Sequence, residues 1–300
     1  MSSATEAVEA ARYTGWVTEL PAAHAVLALI AAGHGRADEC RASAAVALEG
    51  ARRAGAPMVA AQAQLALGVL ELSLGRPREA QRYLELVAAF AQDCGLVENS
   101  VVSWLPDLVE CHVRTGDSEA ARAGLAELAE AVARGGRIRL EAAYARCRGL
   151  AAQATDEAEV ELKRSAALAE RAGAPFEQAR SLLGLGQLYR RDRRRGTARK
   201  PLAAALAIFE YLGAESWAEQ VRVELNASGV EVERKAVDLS RLSPQEMCVA
   251  AAAAEGLSNQ QTAMRLFLSV RTVEFHLSNA YRKLGISRRA QLVRLISAPG

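Results

Sequence analysis

Aromatic residues make up only 5% of the chain, and strand-forming runs of Val, Ile, Tyr and Phe are absent. An alanine-rich sequence without such runs reads as all-helical. Long apolar stretches are missing too: none approaches the roughly 20 residues of a membrane-spanning helix. No basic-then-apolar signal stands at the N-terminus, so the expectation is a cytoplasmic protein with no membrane partner. The five cysteines, Cys40, Cys94, Cys111, Cys147 and Cys248, are widely spaced, form no CxxC pair and have no histidine at ligand spacing. That excludes a metal knot and leaves them as small buried apolar residues in a reducing compartment. His24, His34 and His112 are read as helix or turn residues in the same way. Lysine is scarce, and none of Lys163, Lys200, Lys235 and Lys283 follows a glycine. With no Gly-x-x-x-x-Gly-Lys-Ser/Thr there is no recognisable phosphate-binding loop. Nor is there a nucleophile with a nearby base, so the chain is not read as an enzyme and no cofactor or metal is expected.

Charge is balanced overall at +2, but unevenly placed. From Arg241 onward eight Lys or Arg face three Glu, a net of +5, while the preceding 240 residues carry −3. A basic terminal segment on a mildly acidic body fits nucleic-acid binding by the former. The body is repetitive. Glycines at 15, 55, 95, 135, 173 and 213 follow helical stretches at separations of 40, 40, 40, 38 and 40. Gly35, Gly75 and Gly116, then Asp156 and Gly196, mark a turn inside each unit, so a unit reads helix, turn, helix, break. The segments Arg53-Ala-Gly-Ala-Pro57 and Arg171-Ala-Gly-Ala-Pro175 are identical, and the same offset aligns Leu67-Gly-Val-Leu70 with Leu185-Gly-Gln-Leu188.

Within a unit, Ala63, Leu67, Leu70 and Leu74 form one helical stripe, and Ala80, Tyr83, Leu84, Val87, Ala88 and Ala91 another. Paired stripes with small residues predict stacking into an α-solenoid over residues 1–225. Its concave face and unfinished N-terminal edge suit a protein segment, a second copy or a small-molecule effector. Trp16, Trp104 and Trp217 are read as core packing. The arginine-rich run from Arg190 to Lys200 is read as a solvated turn between helices in preference to a DNA contact. Residues 226–239 lose the pattern and are read as a linker.

Residues 240–300 predict four short helices. Ser243-Pro-Gln-Glu246 has an N-cap serine, a proline at the first helical position and a glutamate that reaches back, with a stop at Gly256. Ser258 caps a helix from Asn259 to Phe267, and Ser269 caps a longer one closed by Gly285. In that longer helix Val270, Val273, Leu277, Ala280 and Leu284 form an apolar stripe. Arg271, Glu274, Phe275, Ser278 and Arg282 point the other way, at a spacing that fits the major groove. Ala263 is small where two helices cross. Ser287 opens a fourth helix with an apolar face of Leu292, Leu295 and Ile296.

The motifs Leu242-Ser-Pro-Gln-Glu246, Glu255-Gly-Leu-Ser-Asn259, Leu268-Ser-Val-Arg-Thr-Val-Glu-Phe-His276 and Tyr281-Arg-Lys-Leu-Gly-Ile286 resemble the LuxR-type DNA-binding domain over residues 240 to 298. The sequence departs from that family at Gln245, Cys248, Gln261, Thr262 and Glu274, where it usually has a basic, an acidic, an acidic and an aliphatic residue and often a lysine. The operator of relatives is therefore not carried over. The Gly-x-x-x-Glu-Ala turn of the body resembles tetratricopeptide repeats with a longer period. Together the two regions resemble the C-terminal part of the large ATP-binding LuxR-type regulators, without the ATPase module. Gly15 is in phase with the unit-ending glycines, so the helix around Glu6 to Arg12 reads as the second half of a unit, as in a shortened regulator or a fragment of a larger one.

These readings converge on a sequence-specific DNA-binding transcriptional regulator with double-stranded DNA as partner. Arg271, Glu274, Phe275 and Ser278 would confront base edges. Arg265, Arg282, Lys283, Arg288 and the polar groups of Ser258, Asn259 and Thr272 would bind phosphates, joined by His276 and Asn279. The LuxR-type resemblance implies that the face of Leu292, Leu295 and Ile296 pairs two copies on DNA, although it could instead simply close the small domain. The alternative function is a tetratricopeptide-like interaction scaffold whose terminal domain binds DNA weakly or only within a larger assembly.

Overall fold

A computed structural model describes residues 20–96, 103–135, 137–229 and 242–284, together with 289, 292, 293 and 296. Expectations for Glu6 to Arg12, Gly15, Trp16, Gly285, Ser287, Arg288, Leu295 and most of the linker lie outside the described residues. The chain divides into two compact units, Met1–Val232 and Glu233–Gly300. It is all-α: fourteen helices and no strand are found among the described residues, and no described helix is long and apolar enough to cross a membrane.

The first unit is a tetratricopeptide-like α-solenoid of eleven described helices. They are α1 (Leu20–Gly33), α2 (Ala37–Ala54), α3 (Pro57–Ser73), α4 (Pro77–Asp93), α5 (Leu105–Thr115), α6 (Ser118–Ala133), α7 (Ile138–Ala151), α8 (Thr155–Arg171), α9 (Pro175–Arg191), α10 (Arg195–Leu212) and α11 (Glu215–Ala227). The 40-residue rhythm follows the unit-ending glycines Gly55, Gly95, Gly135, Gly173 and Gly213, all of which have positive φ. Gly55 ends α2 in the left-handed region at φ 60°, the Ala56 N–H closes on the Ala51 carbonyl at 2.9 Å, and Pro57 starts α3. Units close internally by small-into-large packing. A Cβ on Gly68 of α3 would come within 2.8 Å of Leu84 in α4, and one on Gly186 of α9 within 2.4 Å of Leu202 in α10. Gly149 of α7 meets Leu162 of α8 likewise.

The turn series needs correction in its last two members. Gly196 lies inside α10, and the left-handed residue of that turn is Arg193 at φ 59°. Asp156 lies inside α8, whose preceding turn runs through extended backbone at Ala152 and Ala154. α11 also reaches Ala227, two residues into the span expected as linker. The arginine run is partly pinned: Arg190 pairs with Glu224, and Arg194 bonds Glu159 at 2.7 Å while stacking 4.4 Å over Tyr189. Cys40, Cys111 and Cys147 are buried as expected, with burial pushing the Cys40 thiol up to about 11 and the Cys147 thiol to about 12, but Cys94 and Cys248 are exposed.

Successive odd-numbered helices from α1 to α11 touch, and α11 also touches α3, so the array closes on itself. Gln220 of α11 donates to the Ser73 and Leu72 carbonyls at 2.6 and 3.2 Å. His34 Nδ1 lies 3.1 Å from the Gly213 carbonyl, and Ser216 donates to the Gly35 carbonyl at 3.4 Å. Where α9, α10 and α11 meet, Trp217 stacks on Phe209 and meets Phe176 edge-on, each at 5.8 Å. Arg180 sits 5.0 Å over the same indole. Beside it lies a buried ion network across α5, α7 and α9. Arg180 donates to Asp107 at 2.5 Å and Glu110 at 2.7 Å, and Arg146 bonds both Glu110 and Glu177.

The second unit contains α12 (Pro244–Ala254), α13 (Asn259–Leu266) and α14 (Val270–Leu284), with helical geometry again at Arg289, Leu292, Val293 and Ile296. Leu242, Val249, Ala250, Ala253, Ala263, Val273, Leu277, Ala280, Leu284 and Leu292 form its core.

Candidate nucleic-acid interface

The interface is built on three capped helix starts. Ser243 and Glu246 form a reciprocal capping box, with the Ser243 N–H donating to Glu246 Oε2 at 2.7 Å. Ser258 and Gln261 form a second, so glutamine at this position still closes the box through its Oε1 at 2.8 Å. Ser269 Oγ accepts from the Thr272 N–H at 3.1 Å and caps α14. Between α13 and α14 the turn passes through Phe267 in the left-handed region at φ 55°, with its ring 96% exposed. The expected helical span thus ends one residue earlier, at Leu266.

α14 is held by one side and offers the other. Val273, Leu277, Ala280 and Leu284 are buried; Val270, expected in the same stripe, is 41% exposed because it stands at the helix start, beyond the reach of the core. Arg271, Glu274, Phe275, Ser278 and Arg282 are all exposed. The Phe275 ring lies 5.7 Å from that of His276, which is half-buried. Asn279 accepts from Arg282 at 3.1 Å, and Thr272 is tied to Ser269 at 2.7 Å.

Several of the cations expected at phosphates have partners within the unit. Arg265 pairs with Glu255. Lys283 donates to Glu246 at 2.6 Å, and this bond, with that from the Ser243 N–H, holds the Glu246 carboxyl down at about 2. Asn259 accepts from Arg289 at 2.9 Å, while the same guanidinium also bonds the Ala253 and Leu257 carbonyls. Arg289 was not singled out from the sequence; only its contribution to the basic balance was legible there. Leu292, on the face expected either to pair two copies or to close the small domain, is fully buried in the core of its own unit, and Ile296 packs against that core half-buried.

Two short helices, each opened by a capping box, and a longer helix with one face clear of the core make a helix-turn-helix. Residues 240–296 match the GerE family, described as "Bacterial regulatory proteins, luxR family". The C-terminal unit carries a luxR-family helix-turn-helix domain. Among curated proteins, one from Mycobacterium bovis provisionally named as an HTH-type transcriptional regulator is 36% identical over 102 residues, covering 30% of this chain and 12% of that protein. A similarly named protein of Mycobacterium tuberculosis strain H37Rv gives the same values. Probable transcriptional regulatory protein SgaR of Hyphomicrobium methylovorum is 46% identical over 57 residues, 19% of this chain and 27% of that protein. The chain thus spans only 12% of the length of the mycobacterial relatives it matches.

Within this luxR-family domain the departures now have positions. Glu274 is exposed on the outward face of α14, so its carboxylate is available to a partner. Thr262 is fully buried in α13 and its hydroxyl has no hydrogen-bond partner, an arrangement that costs free energy where an aliphatic side chain would not.

Proposed function

We propose that this protein is a sequence-specific DNA-binding transcriptional regulator in which α14 enters the major groove. The observation that carries the reading is the outward face of α14. Arg271, Glu274, Phe275 and Ser278 are exposed together on a helix whose opposite side is anchored in the core. A guanidinium there suits guanine, a carboxylate can accept from a cytosine amino group, and a ring can touch a thymine methyl. Arg265, Arg282, Lys283 and Arg288, with Ser258, Asn259, Thr272, His276 and Asn279, serve the phosphates and fix the helix in register. In this reading Lys283 exchanges Glu246 for a phosphate oxygen on binding.

A second copy on DNA would read two half-sites, and the repeat unit would serve as the regulatory module that senses a partner. The test is selection of the full-length protein against a random duplex library at physiological salt, followed by sequencing of the bound pool. An enriched inverted repeat supports a dimeric reader, and a single enriched site supports a monomeric one. A pool without any motif, from both the full chain and a 240–300 fragment, refutes base reading and leaves the scaffold.

A further inference from the structure

Arg289 is half-buried and bridges three places in the C-terminal unit that stand more than a helix away from it in sequence. Its Nη1 donates to Asn259 Oδ1 at 2.9 Å, and its Nη2 donates to the Ala253 carbonyl at 3.2 Å and to that of Leu257. Ala253 lies in the last turn of α12, Leu257 in the connection that follows, and Asn259 is the first residue of α13. Leu292, three residues beyond Arg289, is fully buried in the core and seats the turn of helix that carries the guanidinium. A cation at the carbonyl end of α12 also complements that helix's dipole. Arg289 is therefore held by contacts inside its own unit, with no need of a ligand.

The bond to Asn259 has a chemical consequence. A guanidinium only donates, so it is the oxygen of the Asn259 amide that faces Arg289, and this fixes which way round the amide lies. The Nδ2 group then takes the other direction. It donates to no acceptor among the described residues, and Asn259 is only half-buried, so its two N–H groups stay available to a partner. A phosphate oxygen only accepts. In the orientation that Arg289 imposes, Asn259 presents the half of its amide that a phosphate can use; turned over, it would present an oxygen that a phosphate repels. A lysine at this position would keep the charge but not the planar fork that reaches one side-chain oxygen and two carbonyls at once.

We propose that Arg289 is a positioning residue for DNA binding: it orients the Asn259 amide so that Nδ2 donates to a backbone phosphate, and it does so without touching a phosphate itself. The proposal rests on the DNA-binding reading given above and adds to it the polarity of one contact and the residue that sets it. A hydrogen bond from a neutral donor to a charged acceptor is worth roughly tenfold in affinity. Losing either the donor or its orientation forfeits that same factor, so the two residues act as one.

The test is a double-variant cycle on the full-length protein, titrated with a mixed-sequence DNA duplex at about 50 and 200 mM salt. Arg289→Lys keeps the charge and removes the fork. Asn259→Leu keeps the size and removes the amide, while both capping boxes and the two carbonyl bonds of Arg289 stay in place. Each single variant should bind about tenfold more weakly than the wild type, and the double variant within about twofold of either single one. Because the lost donor is neutral, the slope of log affinity against log salt should be the same in all four proteins. Wild-type affinity in Asn259→Leu overturns the proposal, whatever Arg289→Lys does to the fold. Losses that multiply in the double variant overturn it too. So does wild-type affinity in Arg289→Lys with a slope flatter by about 0.9 in Arg289→Gln, which would make Arg289 a phosphate ligand in its own right. A wild-type protein that binds no duplex at either salt removes the DNA-binding reading itself, an outcome distinct from the others because no variant then differs from it.

Discussion

Replacing Glu110 by glutamine probes the most heavily committed charge in the repeat unit. Glu110 is 2% exposed; its Oε1 lies 2.6 Å from Arg114, and its Oε2 accepts from Arg180 at 2.7 Å and from Arg146. An amide keeps the shape but leaves one acceptor and turns two N–H groups toward guanidiniums. At an effective dielectric constant near 20, each lost contact at about 4 Å is worth roughly 4 kcal/mol before desolvation. Because an uncharged residue is also cheaper to bury, the net loss should be about 3–5 kcal/mol, the range found when one partner of a buried pair is removed. For a unit of this size that corresponds to a fall in Tm of roughly 6–20 °C. Urea unfolding followed by tryptophan fluorescence isolates the effect, since Trp16, Trp104 and Trp217 all precede the C-terminal unit. Burial pushes the Glu110 carboxyl up, but the guanidiniums of Arg114, Arg180 and Arg146 outweigh it and hold the carboxyl well below 4.5. A carboxyl with a depressed folded pKa contributes stability that is complete above its unfolded value and is lost as pH falls through the folded one. The gap between wild type and Glu110→Gln should therefore be constant from neutral pH to about 5 and should narrow below about 4.5. A loss under about 1 kcal/mol at neutral pH would refute the reasoning, because it would mean that water or relaxation screens the three cations.

Four further outcomes follow from other contacts. Gly35→Ala should cost more than Gly75→Ala by about 1–3 kcal/mol in urea unfolding: both have φ 72°, but only at Gly35 would the new Cβ meet Ser216 Oγ, at 2.1 Å. Equal losses would show that the α11 closure yields freely. Thr262→Val should stabilise the C-terminal unit by about 1 kcal/mol, since it deletes a buried hydroxyl without a partner; destabilisation would reveal an unseen acceptor. The Glu246 carboxyl should titrate with a midpoint near 2 by carboxyl NMR and move up in Lys283→Ala, so its contribution to stability is complete above about 4.5 and disappears as pH falls toward 2. A wild-type midpoint near 4.5 would exclude the Lys283 bond in solution. In DNA binding, Glu274→Ala should change operator preference more than bulk affinity, whereas Lys283→Ala should weaken all sequences and flatten the salt dependence; equal losses on cognate and scrambled DNA for Glu274→Ala would contradict the base-reading role.

Features written in neighbouring residues were legible before any coordinates. The serine caps at 243, 258 and 269 act over three residues, and the Gly-x-Pro breaks over three or four, so the order of side chains already contains their geometry. The outward face of α14 is equally local, because helical period alone places Arg271, Glu274, Phe275 and Ser278 together. Gly196 was misread because glycine is only the favoured occupant of a left-handed turn position; here Arg193 takes it and Gly196 enters the helix. Lys283 looked like a free cation because Glu246, its partner, stands 37 residues away.

By itself, then, the sequence determined the helical class, the 40-residue rhythm, the terminal helix-turn-helix and the residues that α14 presents. The caps and the outward face depend on spacing within a turn or two of helix, and the rhythm on the recurrence of a glycine break that is itself local. Only the tertiary structure decided that α11 returns to α3, through Gln220 and Ser73, 147 positions apart. It alone brought Arg146, Glu110 and Arg180 into one buried network and joined the starts of α5, α7 and α9 around one cavity. An arginine on a helix is read from sequence as a solvated residue; whether it is buried depends on superhelical packing summed over many units, which no local pattern encodes.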